Sequence, residues 1–328
     1  MLEVYINKTQ VETLILACKY LTRDENLPLG HLNIIPQFIP DDYKSIAKYF
    51  ILAEQVCELY IESNMTILDK EFEKKCTINI SSTNAIQYPR MLAHRFPLHW
   101  EPKQYITSWN FYKIWCRNLA QYFDWISHIP ELREFSSSDR EKLIIGRVIH
   151  FIMFTISYKS VITNTPGLLF GGNSYFPIDE SEHHKLDPLA IWMFKKHVNL
   201  MKYALIDPIK ELKITEAEYA LLHILIIFMP VLRLSEDGLN KIKVYKERYI
   251  NVLNELVSSS YNNEQPHKII KRIGQLMAIL TAVEHVARHC DDVMFCATIF
   301  NIAEMRGTLP YEVFVRKNDP DCVKINYL

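Results

Sequence analysis

Glycine is scarce in this chain, with 8 residues in 328, where average usage is about 7%. Folds built on left-handed turns or phosphate-cradling loops use more of it, so a helical protein is expected. Paired cysteines are missing too. Seven cysteines stand at 18, 57, 76, 116, 290, 296 and 322, with no C-x-x-C spacing. They read as reduced thiols, mostly core fillers, rather than a disulfide framework or a structural zinc site. Neither sign of charge dominates: 37 basic side chains meet 38 acidic ones, for a net charge of -1. The whole molecule therefore lacks a bias toward nucleic-acid phosphates or anionic membranes. No charged-then-apolar leader opens the chain. The longest apolar runs, near 143–158 and 219–232, are short and interrupted by Arg147, His150 and His223, so no membrane association is expected. G-x-S-x-G, G-x-G-x-x-G and the P-loop pattern are all missing, and an enzyme or a cofactor is not expected. His285 and His289, four apart beside Cys290, Asp291 and Asp292, lack the glutamate of H-E-x-x-H and read as a polar helix face.

What is present is enough apolar residue, 49%, to build a full core beneath a surface carrying 23% charge. Phe111, Ile114, Trp115, Leu119, Tyr122, Trp125, Ile126 and Ile129 recur at steps of three and four and place one broad apolar face on a helix. Pro130 ends it, because proline disfavours helical geometry in the residue before it. Ser136, Ser137 and Ser138 then offer N-caps for a helix whose first turn carries Asp139 and Glu141. From Leu143 to Tyr158 that helix is apolar on nearly every side, so other helices must surround it. Further helices are predicted at Val11–Leu21, Asp41–Met65 with Asp41 or Asp42 as cap, Leu189–Ile209, Thr215–Met229, Ser235–Ser258 and Gln265–Ala303. Leu168–Phe170 and Tyr175–Pro177 flank Gly171, Gly172, Asn173 and Ser174 and predict a small β-hairpin. The chain divides into an N-terminal helix and proline-punctuated connection over 1–40 and a helical domain over 41–328, with an irregular excursion at 66–102.

Trp125, Ile129, Pro130, Leu132, Phe135 and Asp139 together resemble the signature of the nuclear hormone receptor ligand-binding domain. The run from Glu218 through Phe228 to Pro230 and the segment opened by Arg272 resemble two further blocks of that family in the same order. The chain looks nearest to the divergent receptors expanded in nematodes. The resemblance implies an all-α, three-layer antiparallel helical sandwich with one small β-hairpin. It also implies a nuclear location, with a cytoplasmic pool compatible. Family members precede this domain with a zinc module that binds DNA; no such module stands in this chain, so DNA is a partner only if that module is missing from it.

The resemblance also assigns residues. Glu218 and Arg272 match an acid and an arginine that tie two helices. Ile114, Trp115, Asn118 and Leu119, with Val148, Ile152 and Ile156, match pocket walls. Lys159 stands where some receptors place a cation for a ligand carboxylate, which suits a fatty-acid-like lipophile; the competing reading is that Lys159 snorkels to solvent while bulky side chains fill the cavity. Phe123, Ser127, Ile144, Ile145 and Glu312 match a groove for coregulator helices, in which Ser127 replaces the usual clamp lysine. Ile269, Ile270, Ile273, Leu276, Met277 and Leu280 offer a seam for a homo- or heterodimer. The leading expectation is a transcriptional regulator acting through a ligand-binding and dimerisation domain, ligand-regulated or orphan. A receptor-derived interaction module without DNA binding is the alternative.

Overall fold

The computed structural model describes residues 8–19, 24–32, 34–35, 42–62, 76–261 and 266–316. The expected helix ends at 20–21 and 63–65 lie outside them, as do the first ten residues of the expected excursion. Helix α1 spans Lys8–Lys19 and α2 Tyr43–Leu59, the latter capped by Asp42, whose carboxylate accepts from the Lys44 amide. The described part of the excursion is more ordered than its sequence predicts. It forms α3 (Ser82–Gln87) and α4 (Pro89–Leu92), and a short strand β1 (Gln104–Tyr105) follows it.

Helix α5 (Ser108–Ile126) is followed by a 3-10 turn at Pro130–Glu134 and by α6 (Ser137–Ile162). Ser136 caps α6 by accepting from the Asp139 amide at 3.1 Å. Asp139 in turn accepts from the Ser235 amide at 3.0 Å and from its hydroxyl at 2.5 Å. The acid of the signature thus joins the start of α6 to the start of a helix almost a hundred residues later. Glu131 does the same for the turn, accepting from Arg248 at 2.9 Å and from the Tyr249 hydroxyl at 2.8 Å.

Strands β2 (Gly167–Phe170) and β3 (Ser174–Pro177) form the expected antiparallel hairpin, with Leu168 opposite Phe176. β1 adds to β3 in parallel, Gln104 opposite Ser174, so the sheet has three strands where a hairpin was expected. The helix expected over 189–209 is α7 (Pro188–Met201), a wider π turn at Lys202–Ile206 and α8 (Asp207–Leu212). Pro208 supplies no N–H to the carbonyl four residues back, which is why the regular helix gives way there. Then come α9 (Glu216–Ile227), α10 (Glu236–Ser260), α11 (Pro266–Ile299) and α12 (Thr308–Pro310), which continues as a π turn to Arg316.

These helices stack as the sandwich: α2 and α5 on one side, α6, α9 and α10 in the middle, α7 and α11 on the other. The all-round apolar pattern of α6 is explained by that middle position. By length and composition α6 could cross a membrane, but most of its apolar window is buried inside the domain. Trp125, 1% exposed, packs its ring against Phe50, Phe151 and His223. The charges that interrupt α6 are also paired. Arg147 donates to Glu284 on α11 at 2.9 Å and to the carbonyls of Met229 and Pro230, and His150 shares Glu284 at 2.9 Å.

Candidate ligand site

A cavity of about 50 Å³ lies between the first and third layers, with strand β2 forming part of its wall. Helix α5 contributes Phe111, Ile114, Trp115 and Asn118, and α6 contributes Ile149, Ile152, Met153 and Ile156. Leu168 and Phe170 come from β2, Met193, Phe194, His197 and Met201 from α7, and Cys290, Val293 and Met294 from α11. That volume holds a few waters. A lipid-sized ligand therefore needs side chains to swing aside, and four of the walls are methionines, whose unbranched thioethers repack at little cost.

Polar groups in this apolar enclosure are few and unspent. Among the described residues, Trp115 Nε1 and Asn118 Oδ1 are buried without a hydrogen-bond partner, although buried polar atoms are normally paired. His197 Nε2 lies 3.3 Å from the His289 carbonyl, which can only accept, so this contact uses a proton on Nε2. Burial lowers the His197 pKa, so the ring is neutral near pH 7. Trp115 and Asn118 stand three apart on α5 and share a face, presenting one donor beside one acceptor. Asn118 Oδ1 lies close to Gly171, where a Cβ would stand 2.6 Å from Leu98 Cδ2 and 2.9 Å from Asn118 Oδ1.

Lys159, expected to meet a ligand carboxylate, does not line the cavity. Its ammonium lies 3.1 Å from Glu54 and 2.7 Å from Glu58, both buried on α2. Burial pushes the Glu58 carboxyl up to about 7 despite the lysine. Burial also opposes ionisation of Glu54, but Lys159 and then His223 outweigh it and hold its pKa below the ordinary value. The Tyr219 hydroxyl and the Trp100 indole donate to the two carboxylates at 2.9 and 3.1 Å. A cation already shared by two anions has no charge left for a third. Two α2 acids at i and i+4, on a face otherwise made of Phe50, Ile51 and Cys57, were the signal in the sequence for this arrangement.

Leu119 and Val148 are also corrected. Each is fully buried in the core but stands one position round its helix from a cavity residue, Asn118 and Ile149 respectively. Ile114, Trp115, Asn118, Ile152 and Ile156 do line the cavity. The walls that sequence reasoning missed come from α7 and α11, whose contribution depends on how distant helices stack.

The expected coregulator groove is not open. Phe123, Ile144 and Ile145 are buried. Ser127, at the clamp position, accepts from the Gly30 amide at 2.8 Å, so the turn Leu29–Leu32 sits against the end of α5. That turn is held from below as well: Asp124 accepts from the Leu29 amide at 3.1 Å and takes a two-pronged contact from the fully buried Arg95, at 2.7 and 2.9 Å. Glu312 is engaged too, accepting from the Ser82 amide at 2.6 Å at the start of α3, which packs on α5 and α6. The chain's own segments thus occupy the partners expected to be offered to a second protein.

Glu218 and Arg272 meet as the resemblance implied. The guanidinium donates to both carboxylate oxygens at 2.8 and 2.6 Å, and also to the Leu212 carbonyl at 2.6 Å. The same Glu218 closes the capping box with Thr215 at the start of α9. Of the expected dimer seam, Leu276 and Leu280 face the core, Ile269, Ile273 and Met277 are half-buried, and Ile270 is 71% exposed. His289 meets the His197 ring, while His285 is exposed.

The layered helical fold, the three-stranded sheet over an apolar cavity and the α9–α11 ion pair define a receptor-type ligand-binding domain. The sequence model for the ligand-binding domain of nuclear hormone receptors matches residues 99–300, and the chain belongs to that family. It is 25% identical over 274 residues to the nuclear hormone receptor family member nhr-100 of Caenorhabditis elegans, covering 79% of this chain and 62% of that protein. The chain therefore spans less than two thirds of the length of the curated relative it matches.

Proposed function

We propose that this chain is the regulatory domain of a nuclear transcription factor, non-catalytic, and that its cavity takes a small neutral lipophile bearing a hydroxyl or similar group. One observation carries the reading: an apolar cavity lined by Trp115 and Asn118, one turn apart on α5, whose uncharged Nε1 and Oδ1 atoms are buried without a hydrogen-bond partner among the described residues. A hydroxyl can accept from the indole and donate to the amide oxygen at once. A carboxylate would be buried without a counter-ion, since Lys159 is committed to Glu54 and Glu58, and that is costly. Occupancy is read out through Trp115, whose ring lies 6.0 Å from that of Phe314 in the C-terminal segment. A coregulator helix reaches the face by Ser127 and Glu312 only when the Leu29–Leu32 turn and α3 give way. Dimerisation through the exposed edge of α11 around Ile270 belongs to the same proposal.

The test uses two probes that differ only in the head group, a medium-chain alcohol and the carboxylic acid of equal length, in thermal-shift titrations at pH 7.5. The alcohol is expected to raise the melting temperature and to lose that effect in Asn118→Leu. Stabilisation by the acid alone would overturn the neutral-ligand reading.

A further inference from the structure

Residues 96–100 connect α4 to β1 as a strap with no helix or strand of its own. A few named bonds hold it. The Phe96 carbonyl accepts from the fully buried Arg117 guanidinium of α5 at 3.0 and 2.9 Å. The Leu98 amide donates to the Glu58 carbonyl of α2 at 2.8 Å, and the His99 carbonyl accepts from the Asn173 amide of the hairpin turn at 3.1 Å. The Trp100 indole donates to the Glu58 carboxylate at 3.1 Å. Leu98 is buried, and its side chain stands with Asn118 against Gly171. One short segment therefore joins the acid that Lys159 shares to the residue that gives the cavity its acceptor. We propose that this strap is the lid of the cavity and that the Glu58 carboxylate is its latch.

The inference rests on the cavity being a ligand site. A cavity of about 50 Å³ set among α5, α6, α7 and α11 admits a lipophile only when a wall moves. The helices are held by their own ladders and by the core, whereas the strap is freed by breaking the bonds just named, and segments of that kind open at the lowest cost. Ionised Glu58 holds the Trp100 indole by a charge-assisted bond, and neutral Glu58 by an ordinary one.

Protonation of Glu58 therefore sets how firmly the lid is shut. Its surroundings place that event near neutrality, burial pushing the carboxyl up to about 7 against the pull of Lys159. The ionisable groups around it are Lys159 on α6 at 2.7 Å and Glu54 one turn back on α2, with His223 and Tyr219 of α9 at 3.7 and 2.9 Å from Glu54. Arg117 of α5 is turned to the Phe96 and Cys57 carbonyls, and His99 of the strap is exposed. When Glu58 takes a proton, Lys159 keeps Glu54 at 3.1 Å, so the change falls on Trp100 and the strap.

Hydrogen exchange of the full chain, read by mass spectrometry at pH 6 and pH 8 and corrected for intrinsic rates, tests the latch. Protection at the Leu98 and Asn173 amides should fall roughly fivefold to tenfold from pH 8 to pH 6, the difference between a charged and a neutral acceptor. Glu58→Gln keeps an acceptor oxygen without the charge, so at pH 8 it should match the wild type at pH 6, with no such fall in α9. The lid is tested with the medium-chain alcohol by stopped-flow tryptophan fluorescence at pH 8. Glu58→Gln should raise the association and dissociation rates together and leave Kd unchanged, which a residue that only supports the wall would not do. Equal strap protection in the two proteins at pH 8, a loss spread evenly into α9, or a changed Kd at an unchanged association rate overturns the inference. An alcohol that binds neither protein counts against the neutral-lipophile reading instead, and the exchange pattern still decides the latch.

Discussion

Replacing Lys159 with methionine separates a structural cation from a ligand-binding one. Its ammonium is the partner of two buried carboxylates, at 3.1 and 2.7 Å, and it lies 5.6 Å from the centre of the Trp100 ring. Methionine preserves most of the volume but leaves Glu54 and Glu58 without a cation. Removing one partner of a buried ion pair costs about 3–5 kcal/mol, and at about 2–4 °C per kcal/mol the melting temperature should fall by roughly 10 °C. The loss should also depend on pH. Glu58 has a folded pKa of about 7, above its ordinary 4.5. The folded state therefore binds this proton more tightly than the unfolded one, so the stabilisation is complete below 4.5 and is lost as pH rises through 7. Glu54 is shifted downward, so its contribution is lost only at more acid pH and stays out of this window. In the methionine variant both acids can escape the penalty only by protonation, so the variant should lie closer to wild type at pH 5 than at pH 8. Urea unfolding of both proteins at the two pH values measures this. A Lys159→Met protein within about 1 kcal/mol of wild type at pH 8 would refute the reasoning.

Glu58→Gln should flatten the fall in stability between pH 5 and pH 8 relative to wild type, because the group that binds the extra proton is gone; an unchanged pH profile by urea unfolding contradicts the assignment. Arg272→Met should cost about 2–4 kcal/mol, since it strands Glu218 and the Leu212 carbonyl, and chemical denaturation would read it directly. Gly171→Ala forces a Cβ against Leu98 and Asn118 and should cost about 1–3 kcal/mol while weakening any alcohol-dependent thermal shift. Asp139→Ala removes the acceptor for the Ser235 amide and hydroxyl and should cost roughly 1–3 kcal/mol, with hydrogen exchange rising first at the start of α10.

The layered fold was legible because its signals are local. The period of Phe111 to Ile129, the proline that follows and the cap at Ser136 act within a few residues, and the apolar girth of α6 already requires neighbours on all sides. Glu218 and Arg272 were legible through a motif. What escaped depends on contacts across long separations. Strand β1 is two residues long and exists because β3 offers it an edge. His197 becomes a cavity wall because α7 stacks across from α5, and the partners of Lys159 stand a hundred residues earlier on α2. The groove residues were identified as a face, but nothing near Phe123 or Ile144 in the sequence reveals that Leu29–Leu32 and α3 fold back over that region.

The central claim is that the enclosure beside Trp115, Asn118 and His197 holds an uncharged lipophile. Native mass spectrometry of the full chain purified from eukaryotic cells, beside an Ile152→Trp variant that fills the cavity and is verified as folded by circular dichroism, tests it most directly. The wild type should carry an adduct that solvent extraction identifies as a neutral lipophile, and the variant should fly bare. Identical bare masses for both proteins, or a carboxylic acid as the extracted species, would contradict the account.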